Sequence, residues 1–151
     1  MEPFVRRFIR SSLVWFAIGG LLGVYQIARP FEGAALRPAH MHANLLGFVS
    51  MMIFGVAYHT MPRFIGAALH SRRLAALHLW LANAGLAGLV GGWGVRLASV
   101  PASRVLLGVG AAASAAGGAL FVYNLWRTLD AAPASALTGG KLPVAHGRKT
   151  P

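Results

Sequence analysis

Arginine punctuates this chain, and the distances between arginines limit what it can become. Four uncharged stretches, 11–28, 38–62, 74–95 and 105–126, hold 18, 25, 22 and 22 residues. At about 1.5 Å per residue in a helix, each can cross roughly 30 Å of hydrocarbon. The spacing predicts an all-α fold, an integral membrane four-helix transmembrane bundle formed by residues 1–130, with spans at about those positions. Pro30, Pro38, Pro62 and Pro101 fall at the ends of stretches, where a missing amide N–H costs least. A cleaved leader is the alternative for the first stretch, which follows the basic segment MEPFVRRFIR. Its apolar run is long for a leader core and no convincing small-x-small site follows, so it is read as a retained span.

The charges then set orientation and exclude some chemistries. The net charge is +11, but the basic residues stand singly or in short clusters between apolar stretches, which argues against nucleic acid as a partner and for a lipid bilayer. The N-terminus, the 63–73 connection and the C-terminal tail hold 10 basic residues, against 4 in the other two connections. Both termini are therefore expected in the cytoplasm, as in a multi-pass protein of a bacterial-type inner membrane. Residues 131–151, rich in Pro, Gly and Ala, read as a disordered cytoplasmic tail, with His146 a solvated residue in it. There is no cysteine, hence no disulfide, thiolate metal site, iron–sulfur cluster or covalent c-type heme. Glu2, Glu32 and Asp130 all lie outside the spans, which removes the carboxylates of an intramembrane proton relay. The third and fourth stretches carry NAGLAGLVGG and GVGAAASAAGGAL, small residues that let helices approach closely in lipid.

The second stretch, PAHMHANLLGFVSMMIFGVAYHTMP, concentrates the polar groups, and polar groups in a bilayer need partners. On a regular helix His40, Asn44, Gly47, Met51, Gly55 and Tyr58 fall within roughly an 80° arc. Leu46, Val49, Ile53 and Val56 line the other side with His42. An imidazole beside glycines suits a porphyrin, which needs an axial ligand and room for a flat ring. The same residues also suit histidines reaching for the interface and glycines that serve helix packing.

The segments Leu36-Arg37-Pro38-Ala39-His40, His42-Ala43-Asn44 and Ala57-Tyr58-His59-Thr60-Met61-Pro62-Arg63 resemble the second helix of subunit I in the heme–copper oxidase superfamily. The likeness is to the cbb-type oxidases and nitric oxide reductases, and also to NnrS-type heme and copper membrane proteins. Leu77-His78-Leu79-Trp80-Leu81-Ala82-Asn83-Ala84-Gly85 is similar, more weakly, to the following helix. The resemblance implies an axial histidine for heme b near the outer membrane face. The arginine three residues upstream favours His40 in that role, and the His-x-Asn pattern favours His42. A full subunit of that family has about twelve helices and takes its binuclear-centre ligands from later ones, so this chain alone is not expected to reduce oxygen or nitric oxide.

A second candidate group is His59 with His78, which a hairpin of the second and third spans would put at similar depth, as ligands of heme or copper. His70 reads as a loop residue among arginines, Met51 and Met52 as core filler, and Trp80, Trp93, Trp126 and Tyr123 as interface anchors. The resulting expectation is a heme-binding membrane protein that uses His40, His42, His59 or His78, in electron transfer, heme or nitric oxide response, or service to a respiratory complex. Partners would be subunits of that complex or a second copy in a homodimer. The alternatives are a cofactor-free structural subunit or assembly factor, and a copper-handling protein with His40 and His42 as ligands.

Overall fold

The computed structural model describes residues 1–96 and 99–131. The segment from 132 onward, including His146, lies outside the described residues. Among the described residues, four helices are long and apolar enough to cross a membrane: Pro3–Ala28, Ala34–Phe64, Arg72–Val95 and Pro101–Asp130. The first span is helix α1 (Pro3–Ala28). A short α2 (Pro30–Gly33) and a 3-10 turn (Ala34–Leu36) lead into the second, which is built from α3 (Arg37–His42), a π-helical segment (Ala43–Ser50) and α4 (Met51–Phe64). The third is α5 (Arg72–Val95) and the fourth α6 (Val100–Asp130). The helices overrun the uncharged stretches, because arginines near a helix end keep their heads in water while the backbone stays helical. Pro38 and Pro101 occupy first-turn positions. Pro62 differs from the sequence expectation: it lies inside α4, in the turn before Phe64.

The chain start, the 65–71 connection and the end of α6 gather at one end of the bundle. Arg72 pairs with Glu2 at 3.1 Å. The Ser71 amide donates to Asn124 Oδ1 at 2.9 Å, Asn124 Nδ2 donates to the Ser71 carbonyl at 2.8 Å, and the His70 amide donates to Thr128 Oγ1 at 3.0 Å. Ser71 then caps α5 by accepting from the Leu74 amide, which satisfies one of the donors a helix start leaves open. Gly66, at φ +66, makes the turn.

Two kinds of contact hold the spans together. Along α6 the residues at least partly buried include Ser103, Leu107, Gly110, Ser114, Gly117, Phe121, Asn124 and Thr128, in alternating steps of four and three. That repeat is the seam of a left-handed helix pair. It meets a matching row on α5 so closely that a Cβ at Gly110 would stand 2.7 Å from the Leu89 amide nitrogen, and one at Gly88 2.9 Å from Gly110 Cα. The α1 interface uses aromatic side chains instead. Phe8 packs on Phe54 and Tyr58, and Phe16 on Phe48, with ring centroids 4.8–6.2 Å apart. As the arc predicts, Gly47, Met51, Gly55 and Tyr58 are buried, while Val49, Ile53 and Val56 face outward. Trp80, Trp126 and Tyr123 are exposed, as anchors at a lipid surface would be.

Candidate functional site

The second span begins with residues whose side chains take over backbone carbonyls. His42 Nδ1 donates to the Pro38 carbonyl at 2.6 Å, Asn44 Nδ2 to the His40 carbonyl at 2.9 Å, and the Ser50 hydroxyl to the Leu45 carbonyl at 2.9 Å. Side-chain donors of this kind compete with the amide ladder and loosen it, and the helix widens into its π segment at these residues. Such segments are frequent at functional positions.

His40 is half-buried and turned toward α1. Its Nδ1 lies 2.8 Å from the Gly19 carbonyl and donates to it, which leaves Nε2 with the lone pair. An imidazole fixed in this way through a backbone carbonyl is the usual arrangement of a metal-ligating histidine. The room for it comes from α1. A Cβ at Gly23 would stand 3.1 Å from His40 Cε1, and one at Gly19 2.5 Å from Asn44 Nδ2. The sequence reading missed this glycine pair, although two glycines four residues apart inside a span are its signal. His42, also half-buried, has the same tautomer through its bond to Pro38.

The glycines expected to receive a flat ring do not leave space for one. A Cβ at Gly47 would stand 2.5 Å from Trp15 Cβ and 2.8 Å from Leu86 Cδ2, and one at Gly55 3.0 Å from Phe8 Cβ. That face is filled by packing. Trp15, which the sequence reading also passed over, ties α1 to α5 through its indole N–H, which donates to Asn83 Oδ1 at 3.2 Å.

His59 and His78 have separate surroundings. Arg63 donates to His59 Nδ1 at 2.9 Å and also to the His59 carbonyl. His78 is fully buried, enclosed by Phe8, Phe54 and Phe121 with centroids 4.9, 4.6 and 5.6 Å away. Its Nδ1 lies 3.1 Å from the Tyr58 hydroxyl, and its Nε2 is buried with no hydrogen-bond partner. His70 is exposed, with its ring against Tyr123. Among the described residues no group of three or more His, Cys, Asp or Glu side chains is arranged to hold a metal ion.

The sequence matches the family of Cytochrome C and Quinol oxidase polypeptide I over residues 4–146. It is 30% identical over 157 aligned positions to the Cbb3-type cytochrome c oxidase subunit CcoN1 of Stutzerimonas stutzeri, covering 85% of this chain and 33% of that protein. It is 29% identical to cytochrome c oxidase subunit 1 of Rhodobacter capsulatus, over 70% of this chain and 24% of that protein. Against the heme-copper oxidase subunit I+III of Aeropyrum pernix it is 36% identical over 53% of this chain and 10% of that protein. The chain thus spans a third or less of the length of these curated relatives. With a match that runs through all four apolar helices, the chain belongs to the cytochrome c and quinol oxidase polypeptide I family.

Proposed function

We propose that this heme–copper oxidase subunit I-like membrane protein binds heme b through His40, with His42 at the same end as the second candidate ligand, and serves electron transfer in or beside a respiratory complex. One observation carries the reading: the Nδ1 bond from His40 to the Gly19 carbonyl, which leaves Nε2 as the nitrogen able to coordinate iron. Gly23 makes room for the ring and Gly19 for the Asn44 side chain, which braces the His40 backbone through its bond to the carbonyl. When bound, heme b supplies reversible one-electron chemistry. His59, held by Arg63, and His78, enclosed by aromatic rings, are weaker candidates.

The ligand set is completed by another chain, either a second copy in a homodimer or a respiratory subunit. The end that holds Arg6, Arg63, Arg72 and Arg127 carries the denser positive charge, and we place it, with both termini, in the cytoplasm of a bacterial inner-membrane protein.

The test is a pyridine hemochrome spectrum with stoichiometry on the full chain purified in detergent after expression with heme precursor. A Soret band is expected, and about 0.5 heme per chain would indicate a site shared by two copies. His40→Ala should remove or shift the band and His70→Ala should leave it alone. A chain that binds copper without heme, or neither, overturns the reading in favour of copper handling or a structural subunit. So does a His40/His42 double alanine variant that inserts normally with an unchanged spectrum.

A further inference from the structure

His78 stands in a part of the bundle that the proposed heme site does not use. It lines a cavity of about 160 Å³ between the second span, α5 and α6, together with Ser50, Met51, Phe54, Leu86, Ser114 and Gly118. The walls are mostly apolar. Its Nδ1 side is turned to Tyr58, near the loop end of α4, which turns the opposite edge of the ring toward the cavity. On that edge is Nε2, fully buried and without a partner. Leaving such a group unpaired in a buried position is costly, so the position asks for an occupant.

The proton on that nitrogen can be assigned. With the Tyr58 hydroxyl donating to His78 Nδ1, the imidazole proton stands on Nε2 and is the one polar hydrogen of the pair left without an acceptor; the other tautomer would leave the hydroxyl proton and the Nε2 lone pair both unpaired. The mostly apolar wall therefore carries the His78 N–H beside the Ser50 and Ser114 hydroxyls. By volume it is close to engineered cavities of about 150 Å³ that accept benzene, and it is too small for a porphyrin. Ser50 and Gly118 are only partly buried, so the opening lies between the second span and α6, toward lipid.

We propose that this cavity binds a neutral, lipid-soluble carbonyl compound about one aromatic ring in size, or the ring end of a longer one, with its oxygen accepting from His78 Nε2. The proposal is independent of heme binding at His40. The walls of Met51, Phe54 and Leu86 hold the ring, and the buried N–H of His78 selects a carbonyl over a hydrocarbon of equal shape.

The matched probes are 4-fluoroacetophenone and 4-fluoro-α-methylstyrene, which differ by an oxygen in place of a methylene, read by fluorine NMR titration of the full chain in lipid nanodiscs. Saturable binding of both is expected, with the ketone about fivefold tighter, the value of one hydrogen bond. Gly118→Leu should abolish saturable binding of both while leaving the fold intact, because a Cβ at Gly118 meets nothing within 4 Å. His78→Phe, which keeps an aromatic ring in the same box, should bring the two affinities together. Equal binding of the two probes to the wild-type chain overturns the proposal. Absence of saturable binding, or binding that survives Gly118→Leu, overturns it as well, and these two comparisons stand even if His78→Phe fails to fold.

Discussion

The bundle joins its helices in two ways. Between α5 and α6 the backbones come close, with few side-chain atoms between them: Gly85, Gly88 and Gly92 face Ser114, Gly110 and Leu107 at distances that leave little or no room for a Cβ. Between α1 and the second span, large side chains enter notches, as Trp15 does at Gly47 and Phe8 at Gly55, while His40 and Asn44 meet Gly23 and Gly19. Lipid tails are as apolar as leucine, so both interfaces depend on close contact rather than on the exclusion of water. They differ in what else they can do. A seam of close backbones fixes distance and little more, whereas a notched interface positions imidazoles, a carboxamide and an indole. The candidate ligands lie on the notched side, and His78 lies where the two meet, with Gly117 of the seam 3.3 Å, by its built Cβ, from His78 Cδ2.

The strongest way to break this contrast is to put bulk into the seam. Gly110→Leu should destabilise the detergent-solubilised chain by about 3 kcal/mol or more, since the atoms in its way are backbone and cannot yield. Gly108→Leu, whose Cβ meets open space, should change stability by less than about 0.5 kcal/mol. Unfolding by titration with a denaturing detergent measures both, and equal losses would erase the distinction. A smaller effect is expected from Asn124→Ala, which removes both bonds to Ser71. A loss of about 1–2 kcal/mol should come with faster hydrogen exchange at the Ser71 amide, and unchanged exchange would show that the connection is held by other contacts. The smallest effect belongs to the notched side. Trp15→Phe keeps the ring against Gly47 but gives up the bond to Asn83, for about 0.5–1 kcal/mol. A loss as large as that of Gly110→Leu would mean that polar ties, not close packing, hold α1 in place.

The spans were legible in the sequence because arginines bound them and hydrocarbon thickness sets a minimum length. The buried arc of the second span was legible because its small and polar residues recur at helical spacing. The seam of α6 was harder to read. Val105, Val109 and Val122 face outward and Ser103, Gly110, Gly117 and Asn124 face in, so a search for an apolar inner face looks at the wrong side of the helix. The histidines were identifiable as candidates, but their roles depend on partners distant in the chain. Gly19 accepts from His40 across 21 residues, and the box around His78 takes Phe8, Phe54 and Phe121 from three other helices. The expected ring space at Gly47 and Gly55 was misjudged because a glycine shows that something comes close without showing what.

The π-helical segment at Ala43–Ser50 also sets a phase. Each residue of an α-helix advances the direction of side chains by about 100°, and a widened turn takes up one residue more than an α-turn over the same rotation. Below it, Met51, Gly55 and Tyr58 face the bundle. Above it, His40 faces Gly19. Deleting one residue inside the segment would let the ladder close into a continuous α-helix with both halves still facing as they do. Deleting one residue of α4 between Met51 and Gly55, with hydropathy nearly unchanged, would instead turn Gly55 and Tyr58 against His40 by about a quarter of a revolution. Outside the π segment, the length of this span therefore matters to the residue, not merely to the thickness of the membrane it crosses.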